Sequence, residues 1–239
     1  MNLRTVPVHL LTHGTEQHMN LANELSERGY VDLGQIDVGV STLELARGLA
    51  DVIGTRVCAS VDTLTTTAPG AKPLNTYGGN FALSRLPLHT DLAHWAVPPR
   101  YLILRCVVGS PEVVTHVVHQ REITRAMPAG LIDRALLRPR RRLDGRMFLL
   151  RMRHDSIFRW DSLFLEPDNA EARLVRELLA EVPASFVPDE VVMDQPGKAI
   201  LIDNWSALHG RGAVPSSAMA RRLERVYLED KPNDYQDTP

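Results

Sequence analysis

The sequence predicts a mainly β sandwich or barrel decorated by helices, and three observations carry that prediction. Short runs rich in Val, Ile, Leu and Tyr, separated by turn residues, dominate the chain beyond residue 100. One clear helical pattern interrupts them, over 168–181. No Gly-rich loop joins a strand to a helix, which leaves a Rossmann fold or a P-loop without support.

Taken in order, residues 1–56 read as a helical or mixed N-terminal part. The stretch 17–28 has helical spacing through Met19, Ala22 and Leu25 and ends before Gly29. A second helix, 41–53, opens on a capping box, Ser41 with Glu44, and carries an apolar stripe from Leu43 to Ile53. Residues 59–80, rich in Thr, Pro and Gly, read as a loop of the length that serves as a lid or active-site segment. Strands are expected at 101–108, 113–118, 147–153, 199–203 and 223–228. The late helix has Asp168 as the expected N-cap and Glu171 at the box position.

Composition narrows the function classes. The 239 residues are 44% hydrophobic, enough for one sizeable core, so 1–239 is read as a single domain. Twenty-seven basic and 29 acidic residues nearly balance, arguing against a nucleic-acid partner or a polybasic membrane surface. No apolar run is long enough to span a bilayer and the first residues do not resemble a signal peptide, so the expectation is a cytoplasmic protein without a membrane. Two cysteines, Cys58 and Cys106, exclude a disulfide scaffold or a four-cysteine zinc site. The basic charge is almost wholly arginine, a residue that grips carboxylates in a rigid fork.

Chemistry concentrates in 85–91, RLPLHTD. His89 and Asp91 are two apart, so on an extended strand they share a face and can share a metal ion; a hydrogen-bonded pair without metal is the competing reading. Of nine histidines, His209 in IDNWSALHGR is the most distinctive third ligand. Two histidines and one carboxylate make the facial triad that leaves open positions on Fe(II). If 221–228 is a strand, Arg221, Leu223, Arg225 and Tyr227 share one face, and two arginines facing a cavity invite a dicarboxylate.

LHTDLAHW, IDNWSALHGRGAV and ARRLERVYL together resemble the iron- and 2-oxoglutarate-dependent oxygenases of the taurine dioxygenase and clavaminate synthase superfamily, over roughly residues 75–229. The resemblance implies a double-stranded β-helix (jelly-roll, cupin-like) core with flanking helices. It implies His89, Asp91 and His209 as ligands of Fe(II), with O2 and 2-oxoglutarate as co-substrates. Arg221, twelve residues after His209 and followed four later by Arg225, matches the arginine that receives the distal 2-oxoglutarate carboxylate. Thr115 matches the threonine on the same carboxylate, although GSPEVVT departs from the family's usual turn. Arg222 is the rival to Arg221. The Asp91–His209 separation of 118 residues is shorter than is common in the superfamily, which points to a trimmed lid and would suit a homodimer. A carboxylate at position 91 argues against the halogenating variants.

The implied reaction is hydroxylation of an unactivated C–H bond in a small polar, carboxylate-bearing metabolite such as an amino acid or derivative. Desaturation or cyclisation by the same site, a cupin-like metal enzyme that does not use 2-oxoglutarate, and a non-catalytic small-molecule-binding domain are the alternatives. Asn75, Tyr77 and Asn80, just before the metal strand, and His94, just after it, are the candidate substrate contacts. Arg211 is a candidate clamp for a substrate carboxylate. Arg138, Arg140, Arg141, Arg142 and Arg146 form a basic cluster that reads as a solvated loop. Asp203 and Asn204 are expected to organise the turn before His209 through side-chain-to-backbone bonds.

Overall fold

The computed structural model describes residues 15–141, 147–180 and 187–231. Helix α1 (Thr15–Arg28) leads into strand β1 (Tyr30–Gln35), and helix α2 (Thr42–Ile53) into β2 (Thr55–Val57). The 59–80 segment expected to be loop contains strand β3 (Asp62–Thr65) and the start of a short helix, α3 (Tyr77–Phe81). Then come β4 (Leu86–His89), β5 (Tyr101–Val108), β6 (Val114–His119), α4 (Gln120–Ala126), α5 (Leu131–Arg134) and β7 (Leu136–Pro139). The expected strand 147–153 is instead two short pieces in different sheets, β8 (Leu150–Arg151) and β9 (Arg153–His154), with the fully buried Met152 between them bonded through its backbone to Ala135 and Arg159. The remainder is β10 (Ile157–Phe158), β11 (Leu165–Pro167), α6 (Ala170–Ala180), β12 (Asp189–Val192), β13 (Lys198–Asp203), β14 (Ala207–Arg211) and β15 (Arg222–Asp230).

Two antiparallel sheets form the centre. The larger runs β1-β13-β5-β15-β2, with β3 also paired to β15; the smaller runs β12-β6-β14-β4. Alternation along the strands explains why both faces of the larger sheet are apolar. Leu102, Leu104, Ile200 and Ile202 point between the sheets, where they meet Val117, Val191 and Ala207. Tyr101, Ile103, Ala199 and Leu201 point outward, under Leu21 and Leu25 of α1 and Leu45, Ala46 and Leu49 of α2. The outer face of the smaller sheet, through Leu88, Val118 and Leu208, is covered by α4, α5, α6 and the β11-β7-β8 sheet. This is the double-stranded β-helix with flanking helices.

Local chemistry sets the helix ends. Ser41 accepts from the Glu44 amide and Glu44 reaches back to the Ser41 amide, the full capping box of α2. At α6 the cap is Asn169 rather than Asp168: its Oδ1 accepts from the Ala172 amide at 3.0 Å and the Leu136 amide at 3.1 Å, while its Nδ2 donates to the Arg134 carbonyl. An amide both accepts and donates, so Asn169 can cap the helix and tie it to β7 together. Gly29 ends α1 at φ +76°, and a Cβ there would lie 2.6 Å from the Ala207 Cβ. The close approach brings α1 against the turn that precedes His209.

Candidate metal centre

Strands β4 and β14 are neighbours, and their register sets His89 opposite His209. Cross-strand partners bring their side chains together, and the two imidazole centroids are 4.5 Å apart. The register shifts between His209 and Arg211, where a Cβ on Gly210 would sit 2.7 Å from the Leu86 carbonyl oxygen. Glycine at 210 is what lets the two strands close up around the pair.

Asp91 lies just beyond the end of β4 and is held by its backbone. Its N–H donates to Asn204 Oδ1 at 2.9 Å, and Asn204 Nδ2 donates to the carbonyls of Asp91 (3.0 Å) and Pro99 (2.9 Å). The fully buried Asn204 sits in the β13–β14 turn, so the turn that delivers His209 also fixes Asp91. Asp203 keeps the local turn role expected of it, accepting from the Trp205 amide at 3.0 Å, whereas Asn204 reaches across the fold.

The three side chains converge. Asp91 Oδ1 is 3.4 Å from His89 Nε2 and Asp91 Oδ2 is 3.8 Å from His209 Nε2. One ligand atom from each lies within 4.8 Å of the others, and all three residues are buried. His89 Nδ1 is 2.9 Å from the Pro87 carbonyl, so the proton belongs on Nδ1 and the Nε2 lone pair faces Asp91. Burial and the neighbouring His89 push the His209 pKa down to about 3, leaving a neutral imidazole. Burial works against the Asp91 carboxylate, yet the Arg225 guanidinium above all holds its pKa well below the usual range. For His89 burial is likewise opposed, and outweighed, by the Asp91 carboxylate, which raises its pKa; a bound cation competes for that same lone pair. An ionised carboxylate and two imidazole nitrogens on one side of a cavity fit Fe(II) as a facial donor set.

Arg225 Nη1 donates to Asp91 Oδ2 at 2.9 Å and Tyr227 Oη donates to the same oxygen at 3.0 Å, leaving Oδ1 free of both. Arg225 Nη2 also holds Asp62 Oδ2 of β3 at 3.1 Å. Arg225, expected with the co-substrate arginines, is therefore engaged with two carboxylates of the protein. Arg222 is exposed and off the cavity, because strand alternation turns it away from the face of Leu223 and Tyr227.

Arg221 is different. It is 9% exposed, its Nε is buried without a hydrogen-bond partner, and among the described residues no carboxylate pairs with it. Burial first, then Arg211, brings its pKa down to about 10, so it remains a cation at neutral pH. Arg221 and the buried Thr115 line one cavity of about 320 Å³ with His89, Asp91 and His209. A buried unpaired guanidinium beside a hydroxyl is a site for an anion.

The remaining candidates divide. Tyr77 lines this cavity, its ring 4.6 Å from that of His89 and its hydroxyl bonded to Asp161. Arg211 lines it too, but its guanidinium bonds the carbonyls of Ala82, Ser84 and Gly212, holding the turn after α3. Asn75, Asn80 and His94 do not line it; α3 and Tyr77 stand between, and the three face a second cavity. In the basic cluster Arg138 and Arg140 both pair with Glu166, while Arg142 and Arg146 fall outside the described residues. Tyr227, Asn204 and Asp161 were not among the expected site residues. Strand alternation with Arg225 gave a signal for Tyr227, and Asn204 reads as a turn residue whose side chain bonds backbone, though not the backbone of Asp91; nothing local marks Asp161.

No family model and no curated protein matches the chain. Solved structures do. Asparagine oxygenase in complex with Fe(II), 2S,3S-3-hydroxyasparagine and succinate superposes with a TM-score of 0.64 at 18% identity, over 90% of this chain and 79% of that one. The non-haem iron oxygenase OrfP in complex with Fe and alpha-ketoglutaric acid gives 0.62 at 19% identity, over 94% and 84%. PvcB from Pseudomonas aeruginosa gives 0.58 at 18% identity, over 90% and 82%. At these identities the likeness establishes the shared fold.

Proposed function

We propose that the chain is an Fe(II)- and 2-oxoglutarate-dependent oxygenase that hydroxylates an unactivated C–H bond of a small polar, carboxylate-bearing metabolite, an amino acid or a derivative. The observation that carries this is one cavity lined by the His89–Asp91–His209 donor set, by the buried, unpaired Arg221 and by Thr115. A metal triad alone suits many enzymes. The lone guanidinium adds a fixed place for the far carboxylate of a co-substrate whose other end chelates the metal.

In this reading the three donors hold Fe(II) on one side, and iron with 2-oxoglutarate and O2 supplies the oxidising chemistry as succinate and CO2 form. The chain's own residues position the reactants. Arg221 and Thr115 orient the co-substrate, Tyr227 and Arg225 hold Asp91 in one rotamer, and Tyr77 closes the wall beside His89. The amino-acid class rests on asparagine oxygenase, solved with 3-hydroxyasparagine, sharing this fold. Residues 1–239 are taken as one oxygenase domain and 59–80 as its active-site loop, since Thr63–Thr67, Lys72 and Thr76 line the metal-site cavity. Among the described residues no helix is long and apolar enough to cross a membrane; a cytoplasmic enzyme acting on a small molecule, with a trimmed lid that a homodimer would complete, is the proposed setting.

The test is anaerobic addition of Fe(II) and 2-oxoglutarate to metal-free protein, recorded by visible absorption. A metal-to-ligand charge-transfer band that is lost in His89→Ala and weakened in Arg221→Ala supports the reading. Iron binding without any band would overturn the 2-oxoglutarate assignment.

A further inference from the structure

Asn75, Asn80 and His94 face a cavity of about 580 Å³ on the far side of α3 from the metal. The partition is a single layer of rings. The Tyr77 ring lies tilted 4.6 Å from His89 and edge-on 5.1 Å from Phe164, and Phe164 lies 5.2 Å from His94. Asp161 fixes this wall by accepting from the Tyr77 hydroxyl and from the amides of Leu163 and Phe164.

The lining has a definite chemistry. Leu163 and Phe164 give it an apolar, partly aromatic floor, and Arg141 stands over it as a cation. With its amide turned to present the oxygen, Asn75 accepts from both Nη atoms of Arg141, which sets the plane of the guanidinium without neutralising it. Glu166, the nearby acid, is engaged with Arg138 and Arg140, and among the described residues no carboxylate lines the cavity. His94 lines the cavity, and among the described residues its buried Nδ1 has no hydrogen-bond partner, so the ring is not tied into the wall by that atom. A concave apolar surface with a few convergent polar groups is the general form of a small-molecule site.

We propose that this cavity is a second ligand site, distinct from the one at the metal, for a molecule that carries a carboxylate or phosphate on a flat apolar body. The anion pairs with Arg141, the body lies against Phe164, and a polar atom of the ligand meets the His94 ring. Burial holds the His94 pKa below its ordinary value, against the pull of Asp161, so the ring meets the ligand as a neutral hydrogen-bonding group.

Calorimetric titration of the full-length protein with phenyl phosphate, inorganic phosphate and phenol tests this, and it needs neither iron nor turnover. Phenyl phosphate is expected to bind one to one, at least tenfold more tightly than either fragment probe. Arg141→Ala should weaken it tenfold or more and His94→Phe several-fold, both variants keeping the wild-type far-ultraviolet circular dichroism. Arg221→Ala and saturating 2-oxoglutarate should leave it unchanged. Absence of saturable binding, or wild-type affinity in both Arg141→Ala and His94→Phe, would overturn the proposal. So would competition by 2-oxoglutarate or loss in Arg221→Ala, because the probe would then occupy the cavity at the metal.

Discussion

The Tyr227 hydroxyl donates to Asp91 Oδ2 at 3.0 Å, from a strand of the larger sheet to the carboxylate carried beyond the end of β4 in the smaller one. With Arg225 on the same oxygen at 2.9 Å, it leaves Oδ1 as the atom presented beside His89 Nε2. Partners of this kind orient a metal ligand and commonly change affinity by about 10–100-fold when removed. Tyr227→Phe keeps the ring and removes one donor, so Asp91 can rotate. Its Fe(II) affinity is expected to fall about tenfold, read by anaerobic metal titration with the fold checked by circular dichroism. Unchanged affinity would show that Arg225 alone sets the carboxylate.

Arg221 is a liability to the folded chain until an anion joins it. A buried charge without a partner costs stability, and an apolar residue of similar shape commonly restores it. Arg221→Met is therefore expected to stabilise the ligand-free protein by on the order of 1 kcal/mol. The same substitution should abolish the rise in melting temperature that 2-oxoglutarate gives the metal-loaded wild type. A variant less stable than wild type in the absence of ligand would mean that Arg221 has a structural partner.

Much of this arrangement is legible in the sequence because it follows from periodicity. The i, i+2 spacing of His89 and Asp91 and the alternation of Arg221, Leu223, Arg225 and Tyr227 locate the cavity-facing groups from one strand at a time. The capping box at Ser41 is equally local. What sequence cannot rank is competition among neighbours in space. Arg225 looks as free as Arg221 until Asp62 and Asp91 are seen beside it. Asn75, Asn80 and His94 are close to the metal residues along the chain, but α3 and the Tyr77 ring turn them into another cavity. Asn204 reads as a turn residue because its partner, Asp91, is 113 positions away. Strand β3 escapes notice for a related reason: apart from Leu64 its residues are polar, and only the free edge of β15 makes them a strand.

Gly210 couples the closeness of two strands to the metal centre. A methyl group there would meet the Leu86 carbonyl oxygen at 2.7 Å, with backbone of Pro87 at 3.2 Å. Backbone cannot swing aside as a flexible side chain can, so β4 must move off β14 and take His89 with it. Gly210→Ala is expected to cost about 1–3 kcal/mol of stability, as overpacked sites do. Its metal affinity should fall further than stability alone explains, because the facing pair of imidazoles is parted. Chemical denaturation in the absence of metal and metal titration of the folded variant separate the two effects. A variant that loses stability but binds metal as wild type would show that the strands part elsewhere.

His119 links pH to the start of helix α4. Its Nδ1 accepts the Arg121 amide proton at 3.0 Å, capping α4, so protonation there removes the acceptor. Burial, then the neighbouring Arg121, brings its pKa down to about 4, with Glu122 opposing. An unfolded histidine titrates near 6.5, so between those values the unfolded chain binds the extra proton. Stability from this group is complete above about pH 6.5 and is lost as the pH falls toward 4. Asn at 119 can cap the helix and does not titrate. In His119→Asn the decline of the denaturant midpoint between pH 6.5 and about 4 is expected to be shallower than in wild type, with the two proteins alike at pH 7.5. Parallel curves would show that the cap survives protonation and that other histidines, such as the half-buried His116, carry the acid sensitivity.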